Sequence, residues 1–179
     1  LVVPFLDFDG AAVGMQARAL TASASVRWSG PINPSAGGTW SKYGFFQADS
    51  DYPEVIVTEG PGDALTAYAA GYSVLIVRGA ALASSETLAD ALATGLKGRR
   101  IIVAGDNDSA GMAFTNNVCE ALSTRGLDTY RLVLPTAVSD ITAWRESNPL
   151  RFTEQFQQAV SNALTYGSET SVTFSVTVT

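Results

Sequence analysis

Between residues 54 and 134, short apolar runs rich in β-branched residues alternate with longer segments rich in Ala and Leu. The runs lack period-two alternation, which is typical of strands that are buried on both faces. Strands separated by helices join through right-handed crossovers into a mainly parallel sheet. The sequence therefore predicts an α/β fold with a mainly parallel sheet flanked by helices. The predicted strands are 55–58, 74–77, 101–104 and 129–134, and the predicted helices are 63–71, 84–96 and 109–125.

The segments on either side have other patterns. Residues 1–6 and 12–20 predict two strands, and Asp9-Gly10 between them is a favoured hairpin pair. Residues 152–164 predict an amphipathic helix, and the strict alternation over 172–179 predicts a strand. We also expect Phe114 and Trp144 to lie in the core. We divide the chain into a small N-terminal subdomain (1–53), a central domain (54–150) and a C-terminal helix with a strand-like tail (151–179).

The composition excludes several kinds of site. The chain has no His, so a Ser-His-Asp or Cys-His relay and a His-ligated zinc site are impossible. A single cysteine, Cys119, excludes internal disulfides and Cys-cluster zinc. The apolar runs are too short to cross a bilayer, and no export leader opens the chain. It starts at Leu1 without Met, which suggests a piece of a longer protein.

Acidic residues follow three of the predicted strands. Glu59 and Asp63 follow the first, Asp106 and Asp108 the third, and Asp140 the fourth. Because ligands of open α/β sheets bind outside the carboxyl ends of the strands, we expect these acids to meet at one edge. Asp106 and Asp108 are two positions apart in an extended segment, so they should point the same way.

Clustered carboxylates favour a cation. Two of them about 5 Å apart repel by roughly 3 kcal/mol at an effective dielectric near 20. An oxygen-only ligand set selects a hard ion such as Mg²⁺ or Mn²⁺, which suits phosphoryl or nucleotidyl transfer. The alternative for Asp63 or Asp108 alone is a helix N-cap.

These acids lie in recognisable motifs. EGPGDAL (59–65) and AGDNDSAG (104–111) resemble the two acidic motifs of the Toprim domain, and RGAALASSETL (78–88) resembles the turn and helix start between them in DnaG-type primases. Upstream, LDFDGAAVGMQARAL (6–20), VRW (26–28) and SKYGFF (41–46) are similar to the small mixed α/β subdomain that precedes Toprim in those primases. The resemblance covers about residues 1–150.

The resemblance implies roles for particular residues. Glu59, Asp106 and Asp108 would be the catalytic metal-binding acids, with Asp63 and Asp140 as further acids of the metal site. The residues expected to bind template or nucleotide are Arg18, Arg27, Trp28, Lys42 and Arg78. For any one of these basic residues, a solvated surface charge is the alternative. The family usually has a second acid two residues after Asp140, where this chain has Thr142, which puts a third metal position in doubt.

The resemblance also implies an activity. It indicates the catalytic core of a DNA primase, a nucleotidyltransferase that makes short primers on single-stranded DNA from nucleoside triphosphates with Mg²⁺ or Mn²⁺. For such a primase we expect a phage- or plasmid-like source and a helicase, either in the same chain or as a partner. We expect no membrane association, and a location in the cytoplasm of a bacterial cell or infected host. The alternatives are a Toprim metal-dependent nuclease and a noncatalytic nucleic-acid-binding module. The formal charge of −6, from 11 Lys and Arg against 17 Asp and Glu, argues against a protein that simply coats phosphates.

Overall fold

The computed structural model describes residues 1–21, 28–29, 41–77 and 85–167. The strands in this part of the chain are β1 (Val2–Leu6), β2 (Ala12–Arg18), β3 (Trp28–Ser29), β4 (Tyr43–Phe46), β5 (Glu54–Thr58), β6 (Ser73–Val77), β7 (Arg100–Ala104), β8 (Thr129–Arg131) and β9 (Leu164–Thr165). The helices are α1 (Pro61–Ala69), α2 (Glu86–Gly95), α3 (Ser109–Ser123), α4 (Ile141–Ser147) and α5 (Phe152–Ser161). None of these helices is long and apolar enough to cross a membrane.

A six-stranded sheet forms the centre of the molecule, with the strand order β4-β6-β5-β7-β8-β9. The four inner strands are parallel, and the two edge strands β4 and β9 run antiparallel to their neighbours. All five residues of β6 and the last four of β5 and β7 are buried, as expected for strands covered on both faces. The predicted parallel sheet flanked by helices is confirmed.

Apolar side chains fill two cores, one on each face of this sheet. Ile56 and its neighbours pack with α1, α4 and α5, whereas Val55 and Val57 pack with α2 and α3. Trp144 lies in the first core and Phe114 in the second, and both are buried as predicted. The chain therefore has three layers, with helices above and below the sheet.

A small antiparallel sheet, in the order β1-β2-β3, precedes the large one. Its β1–β2 hairpin turns at Gly10, whose φ of +83° suits a residue without a Cβ. The Asp7 carboxylate accepts the backbone N–H groups of Asp9 and Ala11 and fixes this turn. The sheet is held against β4 because Phe5, which is fully buried, packs over Gly44, where any Cβ would collide with the Phe5 ring.

The largest differences from the predicted ends are in β8 and α5, which each end three residues early. β8 ends at Arg131 rather than residue 134; it pairs with β7 only as far as Val103, although β7 itself continues to Ala104. α5 ends at Ser161, and Leu164, the last residue of the predicted amphipathic helix, is half-exposed in β9, where it pairs with Arg131. The predicted strand at 172–179 lies outside the described residues.

Candidate metal and nucleotide site

The predicted acids meet where β5 and β7 end. These strands are parallel neighbours, and Thr58 pairs with Ala104 at their last residues. Glu59 follows β5 directly, and Asp106 follows β7 after one glycine. Both line an open pocket of about 440 Å³ together with Asp63 and Asp140. The strand order therefore brings together four of the five acids expected at the site.

Two glycines set the direction in which Asp106 leaves the sheet. A Cβ on Gly105 would collide with the backbone of Gly111 at the start of α3, and a Cβ on Gly111 would collide with the backbone of Asp106. The Thr115 hydroxyl links the same two segments, because it accepts the Gly105 N–H at 3.2 Å and donates to the Gly111 carbonyl at 2.9 Å. The glycines of AGDNDSAG thus let the helix approach the strand end closely enough to fix Asp106.

Asp106 lies at the centre of the negative field. The pKa of its carboxyl is raised to about 6, first by partial burial and then by the charges of Asp63, Asp140, Asp108 and Glu59, in that order. Each of these charges opposes its ionisation. A cation in the pocket would relieve the repulsion.

Two other acids are held by hydrogen bonds from α4. One Asp63 oxygen accepts both the backbone N–H and the hydroxyl of Thr142, each at 2.8 Å. Burial raises the pKa of Asp63, although the bonds from Thr142 act in the opposite direction. Asp140 caps α4 by accepting the Ala143 N–H at 2.6 Å, and its other oxygen accepts the Ser139 hydroxyl at 2.7 Å.

Asp108 is a helix N-cap, the alternative role that the sequence analysis kept open for it. It is the N-cap of α3, and its carboxylate accepts the Gly111 N–H at 2.8 Å. It does not line the pocket, although its charge contributes to the raised pKa of Asp106. Asp106 therefore forms part of the pocket wall, whereas Asp108 affects the pocket only through its negative charge.

The small sheet contributes a cation and an aromatic ring to the same pocket. Arg18 and Trp28 line it, and the Arg18 guanidinium lies over the Trp28 ring at 5.6 Å from its centroid. A Cβ on Gly62 would lie 3.9 Å from an Arg18 nitrogen, so the guanidinium lies beside the first turn of α1. Lys42 is exposed and outside this pocket, and Arg27 and Arg78 lie outside the described residues.

Two residues at or beside the pocket were not singled out by the sequence. Glu146 lines it from α4, four residues after Thr142, a spacing that places both on one face of the helix. Asn107, between the two motif aspartates, donates its backbone N–H to Ser139 and its side-chain amide to Val138. Glu146 could have been predicted, because an acid four residues after Thr142 lies on the same face of a helix. The contacts of Asn107 could not, because no local sequence pattern indicates them.

The chemistry of this wall fits a hard divalent cation. Its acidic donors are carboxylate oxygens, which Mg²⁺ and Mn²⁺ prefer, and Asp106 bears the repulsion that such an ion would offset. In the described part of the chain, no three or more His, Cys, Asp or Glu side chains already have the spacing of a metal site. Glu59 and Asp106 are available to hold an ion, since no protein hydrogen bond to either carboxylate is present among the described residues.

Comparisons with known proteins agree with this geometry. Residues 56–143 match the family model described as Toprim-like. No curated protein sequence matches the chain.

Solved primase structures share the fold. The zinc-binding and RNA polymerase domains of the Aquifex aeolicus primase align with 92% of this chain and 40% of that one, with a TM-score of 0.69 and 20% identity. A DnaG primase catalytic domain bound to single-stranded DNA aligns with 92% of this chain and 51% of its own, with a TM-score of 0.68 and 17% identity.

The primase fragment of the bacteriophage T7 primase-helicase aligns with 89% of this chain and 61% of its own, with a TM-score of 0.59 and 19% identity. The chain thus spans less than two thirds of the length of each of these structures. Residues 56–143 match the Toprim-like family model, and the chain has the fold of the catalytic cores of DnaG-type primases, including that of a phage primase.

Proposed function

We propose that this chain is the catalytic core of a DNA primase, which joins nucleoside triphosphates into short primers on a single-stranded DNA template. One observation carries the proposal: the acids at the ends of β5 and β7 share a pocket with Arg18 and Trp28 from the small sheet. A site for nucleotidyl transfer needs a cation-binding wall and groups that position a polyanion and a base, and this pocket has both.

Glu59 and Asp106 would hold Mg²⁺ or Mn²⁺, and Asp108, Asp63 and Asp140 would strengthen the negative field around it. Such an ion lowers the pKa of an attacking hydroxyl and neutralises charge on phosphate. Arg18 would pair with the triphosphate or a template phosphate, and Trp28 offers a ring on which a base can stack. Lys42, Arg27 and Arg78 would be further contacts to the template or the nucleotide.

The chain spans only part of its solved relatives, so its partners are part of the proposal. A template strand and nucleoside triphosphates would come to this core, and a helicase, in the same chain or as a partner, would supply the single strand. We expect this activity in the cytoplasm of a bacterial cell or an infected host. The N-terminal subdomain (1–53), the Toprim domain (54–150) and the C-terminal segment (151–179) are the proposed units.

The test is primer synthesis by the purified chain on single-stranded DNA with labelled nucleoside triphosphates and Mg²⁺ or Mn²⁺. We expect labelled oligonucleotides from the wild type. Glu59→Gln and Asp106→Asn should each lower the yield by about 100-fold or more, because each removes a charged oxygen donor. Asp51→Asn is the matched control, since Asp51 is exposed in the loop before β5, at the opposite end of the strands.

The alternatives give different products. Degradation of labelled DNA without nucleotide incorporation would identify a hydrolase and overturn the proposal. Neither synthesis nor degradation by the wild type, in an assay where an authentic primase is active, would favour a noncatalytic binding module.

A further inference from the structure

The loop between β8 and α4, residues 132–140, carries Asp140 to the pocket. Asp140 lies there with Asp63, Asp106 and Glu59, so the fold holds like charges together before any ion binds. Repulsion between these carboxylates opposes the approach of the loop to the pocket. The position of Asp140 therefore depends on contacts that hold the loop in place.

The first such contact is made by Asn107. Its backbone N–H donates to the Ser139 carbonyl at 2.7 Å. Its side-chain amide donates to the Val138 carbonyl at 3.1 Å and lies 3.4 Å from the Pro135 carbonyl. One residue, next to Asp106 in sequence, thus holds three carbonyls of the loop that carries Asp140.

The second contact fastens the beginning of α4 to α1. Thr142 donates both its hydroxyl and its backbone N–H to Asp63. Its hydroxyl oxygen also lies 3.3 Å from that of Thr66, which in turn donates to the Gly62 carbonyl at 3.0 Å. Because Asp140 caps the same turn of α4, this junction fixes Asp140 from the other side.

We infer that Asn107 and Thr142 are positioning residues that hold Asp140 beside the metal-binding acids, and that Asp63 acts through Thr142 rather than as an ion ligand. The inference rests on the metal site of the proposed function. Asn107 holds the loop to β7, Thr142 holds α4 to α1, and together they keep Asp140 beside Asp106 against the repulsion between them. A second acid at position 142 would repel Asp63, whereas the Thr142 hydroxyl donates to it.

The experiment measures Mn²⁺ binding to the otherwise metal-free chain by electron paramagnetic resonance. Asn107→Ala and Thr142→Val should each weaken Mn²⁺ binding about three- to tenfold, the range expected when one or two hydrogen bonds are lost. Thr142→Ser retains the hydroxyl and should bind within about twofold of wild type. The matched controls are Asn117→Ala and Thr94→Val, because both side chains lie on exposed helix surfaces outside the pocket and should leave Mn²⁺ affinity unchanged.

Amide hydrogen exchange in the metal-free state gives a second measurement. The Asn107 and Thr142 amides should exchange faster in the Asn107→Ala and Thr142→Val chains than in wild type, while amides of β6 should not change. Thermal melting reports whether each variant is folded; if Thr142→Val is not, Asn107→Ala and Thr142→Ser still decide the matter.

Unchanged Mn²⁺ affinity in a folded Asn107→Ala chain would overturn the inference, as would equal weakening by Thr142→Ser and Thr142→Val. A wild type that binds no Mn²⁺ would overturn both the inference and the metal site. If the affinities rank as expected but the wild type makes no primers, only the proposed function fails.

Discussion

The folded structure disfavours the ionised form of the Asp106 carboxyl. Its pKa is raised from the ordinary 3.8 to about 6, first by burial and then by four neighbouring carboxylates. Between those two values the folded chain binds more protons at this group than the unfolded chain does. Stability therefore falls as the pH rises through this window, and the full penalty is present above about pH 6.

Replacement of this acid by its amide should remove the penalty. In EDTA, the melting temperatures of Asp106→Asn and wild type should converge as the pH falls towards 4, because the carboxyl is then protonated in the folded state and partly protonated in the unfolded state. Above pH 6.5 it should be more stable by about 1 kcal/mol, after discounting the shift for solvent screening, which is a gain of about 2–4 °C. Thermal melts followed by circular dichroism from pH 4 to 8 measure this.

Asp51→Asn provides the control for that series, because Asp51 is exposed and remote from the pocket. Its melting temperature should follow that of wild type at every pH. A lower melting temperature for Asp106→Asn at pH 7.5, or a difference that does not change with pH, would contradict the account of Asp106 given above.

At the scale of secondary-structure elements, the sequence predicts those features that depend on local residue patterns. The β-branched runs predict β5, β6 and β7, and the rule that parallel strands end at one edge places Glu59 near Asp106. The contacts that complete the pocket are not local: Thr142 and Asp63 are 79 positions apart, and Asn107 and Val138 are 31 apart. No periodicity links such pairs, so only the folded chain reveals them.

The close contact between α3 and the end of β7 can also be tested, because a larger residue at Gly111 should reduce the stability of the fold. Gly111→Ala would place a Cβ against the backbone of Asp106, and neither backbone can yield easily. We expect a loss of roughly 1–3 kcal/mol in the free energy of unfolding, measured by urea titration, together with weaker Mn²⁺ binding. Ala113→Ser, an exposed position on the same helix, should be close to neutral. An unchanged urea midpoint for Gly111→Ala would mean that the helix can shift without cost.

At the scale of the whole molecule, the charges are unevenly placed. The chain has a net charge of −6, and Glu59, Asp63, Asp106, Asp140 and Glu146 line one pocket that Arg18 enters from the small sheet. A nucleic acid that approaches this pocket meets like charge unless cations neutralise it first. The affinity of the chain for its proposed template should thus depend on divalent ions, and this dependence should remain when the ionic strength is held constant.

Fluorescence anisotropy of a labelled single-stranded oligonucleotide tests this dependence at constant ionic strength. Because an ion between the acids turns a repulsive pocket into one that accepts phosphate, we expect at least about tenfold tighter binding in Mg²⁺ than in EDTA. The double variant Glu59→Gln with Asp106→Asn should lose most of the difference, and Arg18→Ala should weaken binding in both buffers. Lys97→Ala is the control for lost positive charge, since Lys97 is exposed in the loop before β7, away from the pocket. Equal affinity of the wild type in Mg²⁺ and EDTA would show that the template binds elsewhere, and the pocket would then serve the nucleotide alone.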